Sequence, residues 1–156
     1  MQNAMGLIKY LFILFFTFSV QAQVNLNQIR VDYAFAASNE ELCEQNLAWL
    51  QTNASSPTHK GYLGAYQMMM AKHAFNPISK LSHFKKGKKE LEAAIKSQPK
   101  NLELRFIRLT IQENVPSLLN YSSQIQEDKT FILTHITDLK DTYLVQAIGS
   151  YLKSKT

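Results

Sequence analysis

The sequence contains few residues that crosslink or interrupt a chain. It has one cysteine, Cys43, so no intramolecular disulfide can form even in an oxidising compartment. There are only five glycines and four prolines, and no segment shows the apolar–polar alternation of a half-buried β-strand. The sequence therefore predicts an all-α fold that is stabilised by packing rather than by covalent bridges.

Motifs for common catalytic and metal chemistries are also absent. The sequence has no HExxH or CxxC pattern, no Gly-x-Ser-x-Gly elbow and no glycine-rich phosphate loop. No two histidines are spaced three or four residues apart, as two metal ligands on one helix face would be. The sequence therefore predicts no metal site and no cofactor, and a non-enzymatic role is the leading interpretation.

An apolar run near the N terminus is typical of a signal peptide. Residues 10–20 follow Lys9 and precede a short segment that ends in Ala22. Because a transmembrane helix needs about 20 apolar residues, this run is too short to span a membrane. We expect export to the periplasm or medium, cleavage after Ala22, and a single domain over residues 23–156 without a transmembrane anchor.

Apolar residues recur at every third or fourth position after the apolar run, which indicates helices with buried faces. Seven helices are predicted, at about residues 26–37, 39–52, 61–75, 77–97, 101–113, 123–137 and 139–153. Ser38 is predicted to cap the second helix, Asn76 with Pro77 to begin the fourth, and Asp138 to cap the last. Residues 53–60, which are polar and contain a proline, are predicted to form a loop.

Part of the predicted fourth helix resembles the second helix of a tetratricopeptide repeat (TPR) and its exit. The family's small, large apolar, small and proline positions are occupied by Gly87, Leu91, Ala94 and Pro99. Leu63 and Gly64 resemble the small-residue pair of the family's first helix, although they lie too far upstream for a period of about 34 residues. The resemblance implies antiparallel hairpins in a right-handed TPR-like stack, with a close helix approach at Gly87.

A longer segment, residues 61–133, resembles small exported bacterial proteins of unassigned function. The likeness rests on Tyr-Leu-Gly-Ala-Tyr-Gln-Met, Lys-His-Ala-Phe-Asn-Pro and Phe-Lys-Lys-Gly-Lys, which follow one another in this segment. The resemblance implies export and one helical domain, and it implies no activity.

Lysines cluster on one face of the predicted fourth helix. Lys85, Lys89 and Lys96 fall within about 40° of one another at 100° per residue. The cluster suits an acidic partner, and it equally suits a solvated face without a partner. Glu92 lies four residues from both Lys88 and Lys96, so part of this charge is expected to be paired locally.

The predicted fifth helix carries a polar stripe between two apolar faces, made of Asn101, Arg105, Arg108 and Gln112. In a TPR-like stack such a stripe can line a groove in which arginines bind a peptide carboxylate, or it can be the one solvated edge of the helix. The leading interpretation is a protein that binds another protein or peptide, possibly acidic, through this stripe together with Lys85 and Lys89. Nucleic acid is disfavoured as a partner because the protein is predicted to be exported.

The predicted third helix is apolar on two sides, which leaves a second interpretation open. Tyr62, Tyr66 and His73 fall on one line and could form a pocket for a small molecule or a reaction, whereas Phe75 belongs to the other apolar line. Cys43 lies in an apolar stripe and is either a reactive thiol or a buried small hydrophobe. A structural protein of the cell envelope without a discrete site is the third interpretation.

Overall fold

The computed structural model describes residues 25–155, which form seven α-helices and two short 3-10 turns. The helices are α1 (Leu26–Ala36), α2 (Glu40–Asn53), α3 (Pro57–His73), α4 (Pro77–Ser97), α5 (Leu102–Gln112), α6 (Ile125–His135) and α7 (Thr142–Ser154), and the turns are Ser117–Leu119 and Ile136–Asp138. The predicted all-α class is confirmed over this range. No helix within it combines the length and the hydropathy that a membrane crossing requires. The predicted signal peptide and its cleavage site lie outside the described residues.

Side-chain caps place two helix starts where the sequence predicts them. The Asn76 side chain accepts a hydrogen bond from the backbone N–H of Ser79 at 2.8 Å, and Pro77 occupies the first turn of α4. Asn101 caps α5 in the same way, accepting from the N–H of Leu104 at 3.1 Å. Both asparagines therefore satisfy amide groups that the helix itself leaves unpaired.

Two other predicted caps are wrong. At α2 the cap is Asn39, which accepts from the N–H of Leu42, whereas the hydroxyl of Ser38 donates to a carbonyl of the preceding helix. At α7 the cap is Asp141, because Asp138 is taken up by the second 3-10 turn. At each site a second residue with a capping side chain lies within three positions of the predicted one, so a shift of one to three residues costs the helix little.

The predicted loop at residues 53–60 is also wrong over most of its length. Ser56 accepts a hydrogen bond from the N–H of His59 at 3.1 Å, and Pro57 stands in the first helical position. Proline is favoured at that position because its missing N–H would have no partner there. The third helix therefore starts four residues earlier than predicted, and it ends at His73 rather than at residue 75.

Helices α3 and α4 pack antiparallel and approach each other closely at two glycines. A Cβ atom added to Gly87 would lie 2.3 Å from the carbonyl oxygen of Gly64, and one added to Gly64 would lie 2.6 Å from the carbonyl oxygen of Gly87. Neither position has room for a side chain. The close approach predicted at Gly87 is therefore confirmed, and the lost helix propensity of two glycines is offset by backbone contact.

Two buried clusters lie on opposite sides of α5. The first cluster contains residues of α1 to α4 together with Leu104, Ile107 and Ile111 of α5. The second joins another face of α5 to α6 and α7, and its buried members are Leu102, Phe106, Leu109, Ile132 and Ile148. The prediction that the fifth helix is apolar on two faces is confirmed.

Arg30 forms ion pairs that join α1 to α5 and to the start of α7. The Arg30 guanidinium of α1 donates to both carboxylate oxygens of Glu103 at 2.6 and 2.7 Å, and it lies 3.3 Å from Asp141. Tyr62 of α3 donates to the same Glu103 carboxylate at 2.9 Å. The hydrogen bond to Glu103 raises the pKa of Arg30, so the guanidinium stays charged and fixes α1 against α5.

Candidate functional site

The exposed side of α4 carries a row of lysines. The helix packs on α3 through its other side, where Phe84, Gly87, Leu91, Ala94 and Ile95 are buried. Lys85, Lys89 and Lys96, which we call the lysine row, are all exposed. At a rise of 1.5 Å per residue the row extends over about 16 Å.

No carboxylate neutralises the lysine row within residues 25–155. No Asp or Glu oxygen in that range lies within 4.0 Å of the ammonium group of Lys85, Lys89 or Lys96. The ammonium of the neighbouring Lys88 lies 4.5 Å from the centre of the Tyr121 ring, which is a cation–π contact. The lysine row is therefore a surface of one charge sign that faces solvent.

The predicted pairing of Glu92 with nearby lysines is wrong. One carboxylate oxygen of Glu92 accepts from Arg108 at 3.0 Å, and the other accepts from the hydroxyl of Tyr121. The buried Arg108 is a stronger partner than an exposed lysine one helical turn away, because less solvent screens the pair. Glu92 lies one helical turn before Lys96 on α4. Because its carboxylate points toward Arg108 of α5, it does not neutralise Lys96.

Three large apolar side chains are exposed where α3 passes into α4. Their exposed fractions are 101% for Phe75, 84% for Ile78 and 42% for Leu81, and we call them the apolar corner. Phe75 is predicted to lie on an apolar line of the third helix, and this is wrong because α3 ends at His73. Beyond the helix end Phe75 packs against no element of the described residues, as its full exposure shows.

One residue of the apolar corner, Ile78, shares a face of α4 with the lysine row. At 100° per residue Ile78 falls within about 20° of Lys85 and Lys89 and directly in line with Lys96. We call the combined surface of Ile78 and the lysine row the α4 face. It runs from an apolar end to a basic end, and the chemistry it offers is ion pairing and apolar burial rather than acid–base catalysis.

The polar stripe of α5 is engaged inside the protein. Arg108 donates to both oxygens of Asp128 at 2.7 and 2.8 Å, and Asp128 is fully buried. Burial lowers the pKa of the Arg108 guanidinium, but the hydrogen bonds and charges of Asp128 and Glu92 more than reverse that effect and raise it. Gln112 is buried as well and donates to Gln124 at 2.7 Å.

Arg105 is the partly exposed member of that stripe. It donates to Glu127 at 2.8 Å and to Asp128 at 2.9 Å, and its guanidinium lies 4.4 Å from the centre of the Phe131 ring. Its hydrogen bond lowers the pKa of Glu127. Arg105 lines a shallow cleft of about 440 Å³ with residues of α6. A peptide carboxylate that binds these arginines would compete with Glu127 and Asp128, and such binding stays a prediction.

The residues of the alternative pocket have separate partners. Tyr62 donates to Glu103, Tyr66 donates to the carbonyl of Ile29 at 2.9 Å, and an imidazole nitrogen of His73 lies 3.1 Å from the carbonyl oxygen of Ala36. Burial raises the pKa of the Tyr62 and Tyr66 phenols, so both stay protonated near neutral pH. Each side chain joins α3 to another helix, which is a packing role.

The buried phenols predict alkaline instability. A raised pKa favours the protonated phenol in the folded protein, so this stabilisation is present below about pH 10, the ordinary tyrosine value, and is lost as the pH rises further. We expect the urea midpoint to stay nearly constant up to about pH 9 and to fall from about pH 10 upward, with tyrosinate absorbance at about 295 nm appearing only on unfolding. Tyr66→Phe should flatten the fall. Tyrosinate absorbance that rises near pH 10 while the helical circular dichroism persists would show that the phenols are accessible in the folded state.

Cys43 and the histidines do not form a reactive or metal-binding group in the described part of the chain. The Cys43 thiol is buried and lies 3.6 Å from the carbonyl oxygen of Tyr66, and burial raises its pKa to about 12. It behaves as a small hydrophobe rather than as a nucleophile. No group of three His, Cys, Asp or Glu side chains in residues 25–155 is arranged to hold a metal ion.

No family model, curated protein or solved structure matches the chain. Function must therefore be inferred from its surfaces. Sequence patterns located the lysine row but missed its apolar end, since the signal for that end is the short interval between His73 and the Asn76–Pro77 helix start.

Proposed function

We propose that this protein is an exported, non-enzymatic helical module that binds an acidic segment of another protein on the lysine row of α4. The observation that supports this most directly is the alignment of Lys85, Lys89 and Lys96 on one exposed face of α4, where none of the three has a carboxylate partner among residues 25–155. Glu92, which could neutralise the row, is held by Arg108 instead. A partner that supplies carboxylates would relieve repulsion among these aligned cations.

The energetics of such a surface favour fast and salt-sensitive binding. Each exposed ion pair contributes about 0.2–1 kcal/mol, so three pairs supply only part of a stable complex. The aligned charges also accelerate encounter with an acidic partner, and salt screens that effect over a Debye length of about 8–10 Å. We therefore expect the partner to bind transiently rather than as a permanent subunit.

The proposed function also includes a TPR-like stack of hairpins and export of the protein. The close approach of α3 and α4 at Gly64 and Gly87, followed by Pro99 beyond the end of α4, supports the TPR-like packing of this hairpin. We propose that the right-handed stacking of hairpins continues along the chain. The short apolar run before Ala22 supports export, and an exported protein meets acidic proteins more often than nucleic acids.

A charge-reversal pair tests the proposal. Lys85→Glu with Lys89→Glu should weaken binding of a fluorescent poly-glutamate peptide by about tenfold or more and should reduce its salt dependence, because two ion pairs become repulsions. The melting temperature should stay nearly unchanged because both side chains are exposed and unpaired. Fluorescence anisotropy and thermal melts measure the two effects.

The matched control changes the same net charge elsewhere. Lys60→Glu with Lys140→Glu alters two exposed lysines away from α4 and should leave binding within about twofold of the unmodified protein. An equal loss in both double variants would mean that the peptide senses only net charge, and the proposed site on α4 would then be wrong.

A further inference from the structure

We infer that the acidic segment bound by the α4 face is an amphipathic helix whose apolar end packs on the apolar corner. This inference rests on the proposed function and adds the conformation and residue spacing of the partner. Its starting point is the composition of the α4 face, where the exposed Ile78 is in line with Lys85, Lys89 and Lys96.

The exposed side chains of the apolar corner favour a partner that also has an apolar end. Phe75 and Ile78 are almost fully exposed, and Leu81 is exposed over 42% of its surface. Three large exposed apolar side chains within seven residues of sequence provide apolar surface that a partner can bury. A chain of carboxylates alone would leave this surface in water, whereas an acidic helix with an apolar end would cover it.

The backbone of α4 explains why the partner is helical. The main-chain groups in the middle of α4 are used within its own helix, so the α4 face offers side chains only. An extended partner would find no main-chain hydrogen bonds there, in contrast to a strand that joins the edge of a sheet. A helix satisfies its own backbone groups and can pack along α4 as helices pack on one another.

The spacing of the α4 face sets the spacing of the partner. From Ile78 the distances along the axis are about 10 Å to Lys85, 16 Å to Lys89 and 27 Å to Lys96. A second helix has the same rise, so a partner lying along α4 would carry an apolar residue at position i and carboxylates at i+7, i+11 and i+18. An antiparallel partner would carry the same pattern in reverse order.

Designed helical peptides of about 19 residues, or five turns, test this spacing. Two peptides place leucine and three glutamates at these positions in the forward and the reverse order, in a background of alanine and glutamine. The matched control keeps the composition but moves leucine by two residues, to the far side of the helix. We expect one of the two patterned peptides to bind the full chain about tenfold more tightly than its control and to gain helical circular dichroism on binding.

Protein variants separate this inference from the proposed function. Phe75→Ser with Ile78→Ser should remove the advantage of the patterned peptide without lowering the melting temperature, since both side chains are exposed. Lys85→Glu with Lys89→Glu should abolish binding of patterned and control peptides alike. If the lysine variants lose binding but the apolar variants do not, the proposed function stands and the inference is wrong.

A vesicle-binding measurement tests the alternative partner, a lipid membrane, because a membrane also combines apolar and anionic groups. Phosphatidylglycerol vesicles are compared with phosphatidylcholine vesicles in a sedimentation assay, with the same two double variants. We expect no vesicle binding that depends on the apolar corner. Binding to the anionic vesicles that is lost in both double variants, together with no preference for the patterned peptides, would assign the α4 face to a lipid surface and overturn the inference.

Discussion

Replacing Asp128 with alanine should lower the free energy of unfolding by about 3–5 kcal/mol, the range observed when one partner of a buried ion pair is removed. Asp128 is fully buried and accepts hydrogen bonds from Arg108 and Arg105. Without it, the carboxylates of Glu92 and Glu127 would be the only ones left within the described residues to pair with the two guanidinium groups. Urea unfolding followed by circular dichroism measures the change.

The adjacent residue provides the control for Asp128. Glu127→Ala removes an ion pair with the same Arg105, but the Glu127 side chain is 63% exposed, so the expected loss is below about 1 kcal/mol. Arg108→Met combined with Asp128→Leu should recover part of the lost stability, because no unpaired charge would remain buried between them. Similar small losses from Asp128→Ala and Glu127→Ala would show that water reaches the network.

Replacing Gly87 with alanine should destabilise the fold by about 2–3 kcal/mol, although alanine is the better helix former. The added Cβ would lie 2.3 Å from the Gly64 carbonyl oxygen and 2.8 Å from the backbone nitrogen of Met68. Backbone atoms cannot swing aside as the end of a side chain can, so α3 and α4 must separate along part of their interface. Thermal melts and urea unfolding report the effect.

Replacing Gly149 with alanine should stabilise the fold rather than destabilise it. Gly149 lies inside α7, and no atom from outside its own helix segment lies within 4 Å of an added Cβ. Gly149→Ala should therefore stabilise the protein by about 0.5–1 kcal/mol through helix propensity alone. A stabilising Gly87→Ala would mean that the two helices do not meet at these glycines in solution.

Local chemistry accounts for the parts of the fold that could be predicted from the sequence. The seven helices follow from an apolar period, which is a property of neighbouring residues. The starts at Asn76 and Asn101 follow from capping side chains, and the close approach at Gly87 follows from the cost of glycine within a helix. Where two capping residues compete, as at Ser38 and Asn39, the same chemistry leaves the helix start undetermined.

The internal ion pairs could not be predicted because their partners are distant in sequence. Arg108 pairs with Asp128 and Glu92, which lie on other helices, and each pairing depends on how α4 and α6 pack on α5. The rule for pairs four residues apart predicted lysine partners for Glu92, and it failed because a buried arginine was available on the neighbouring helix. The polar stripe of α5 was therefore located correctly, but its engagement within the protein was not foreseen.

The position of α5 between the two buried clusters affects how the chain unfolds. The buried Ile132 of α6 and Ile148 of α7 belong to the second cluster, so the two helices can open together while α1 to α5 keep the first cluster intact. The α3–α4 hairpin is formed by neighbours in sequence, and contacts of that kind form early during folding because little loop entropy is lost. The helices α6 and α7 would then pack onto α5 last during folding, and their amide hydrogens would be the first to exchange with solvent.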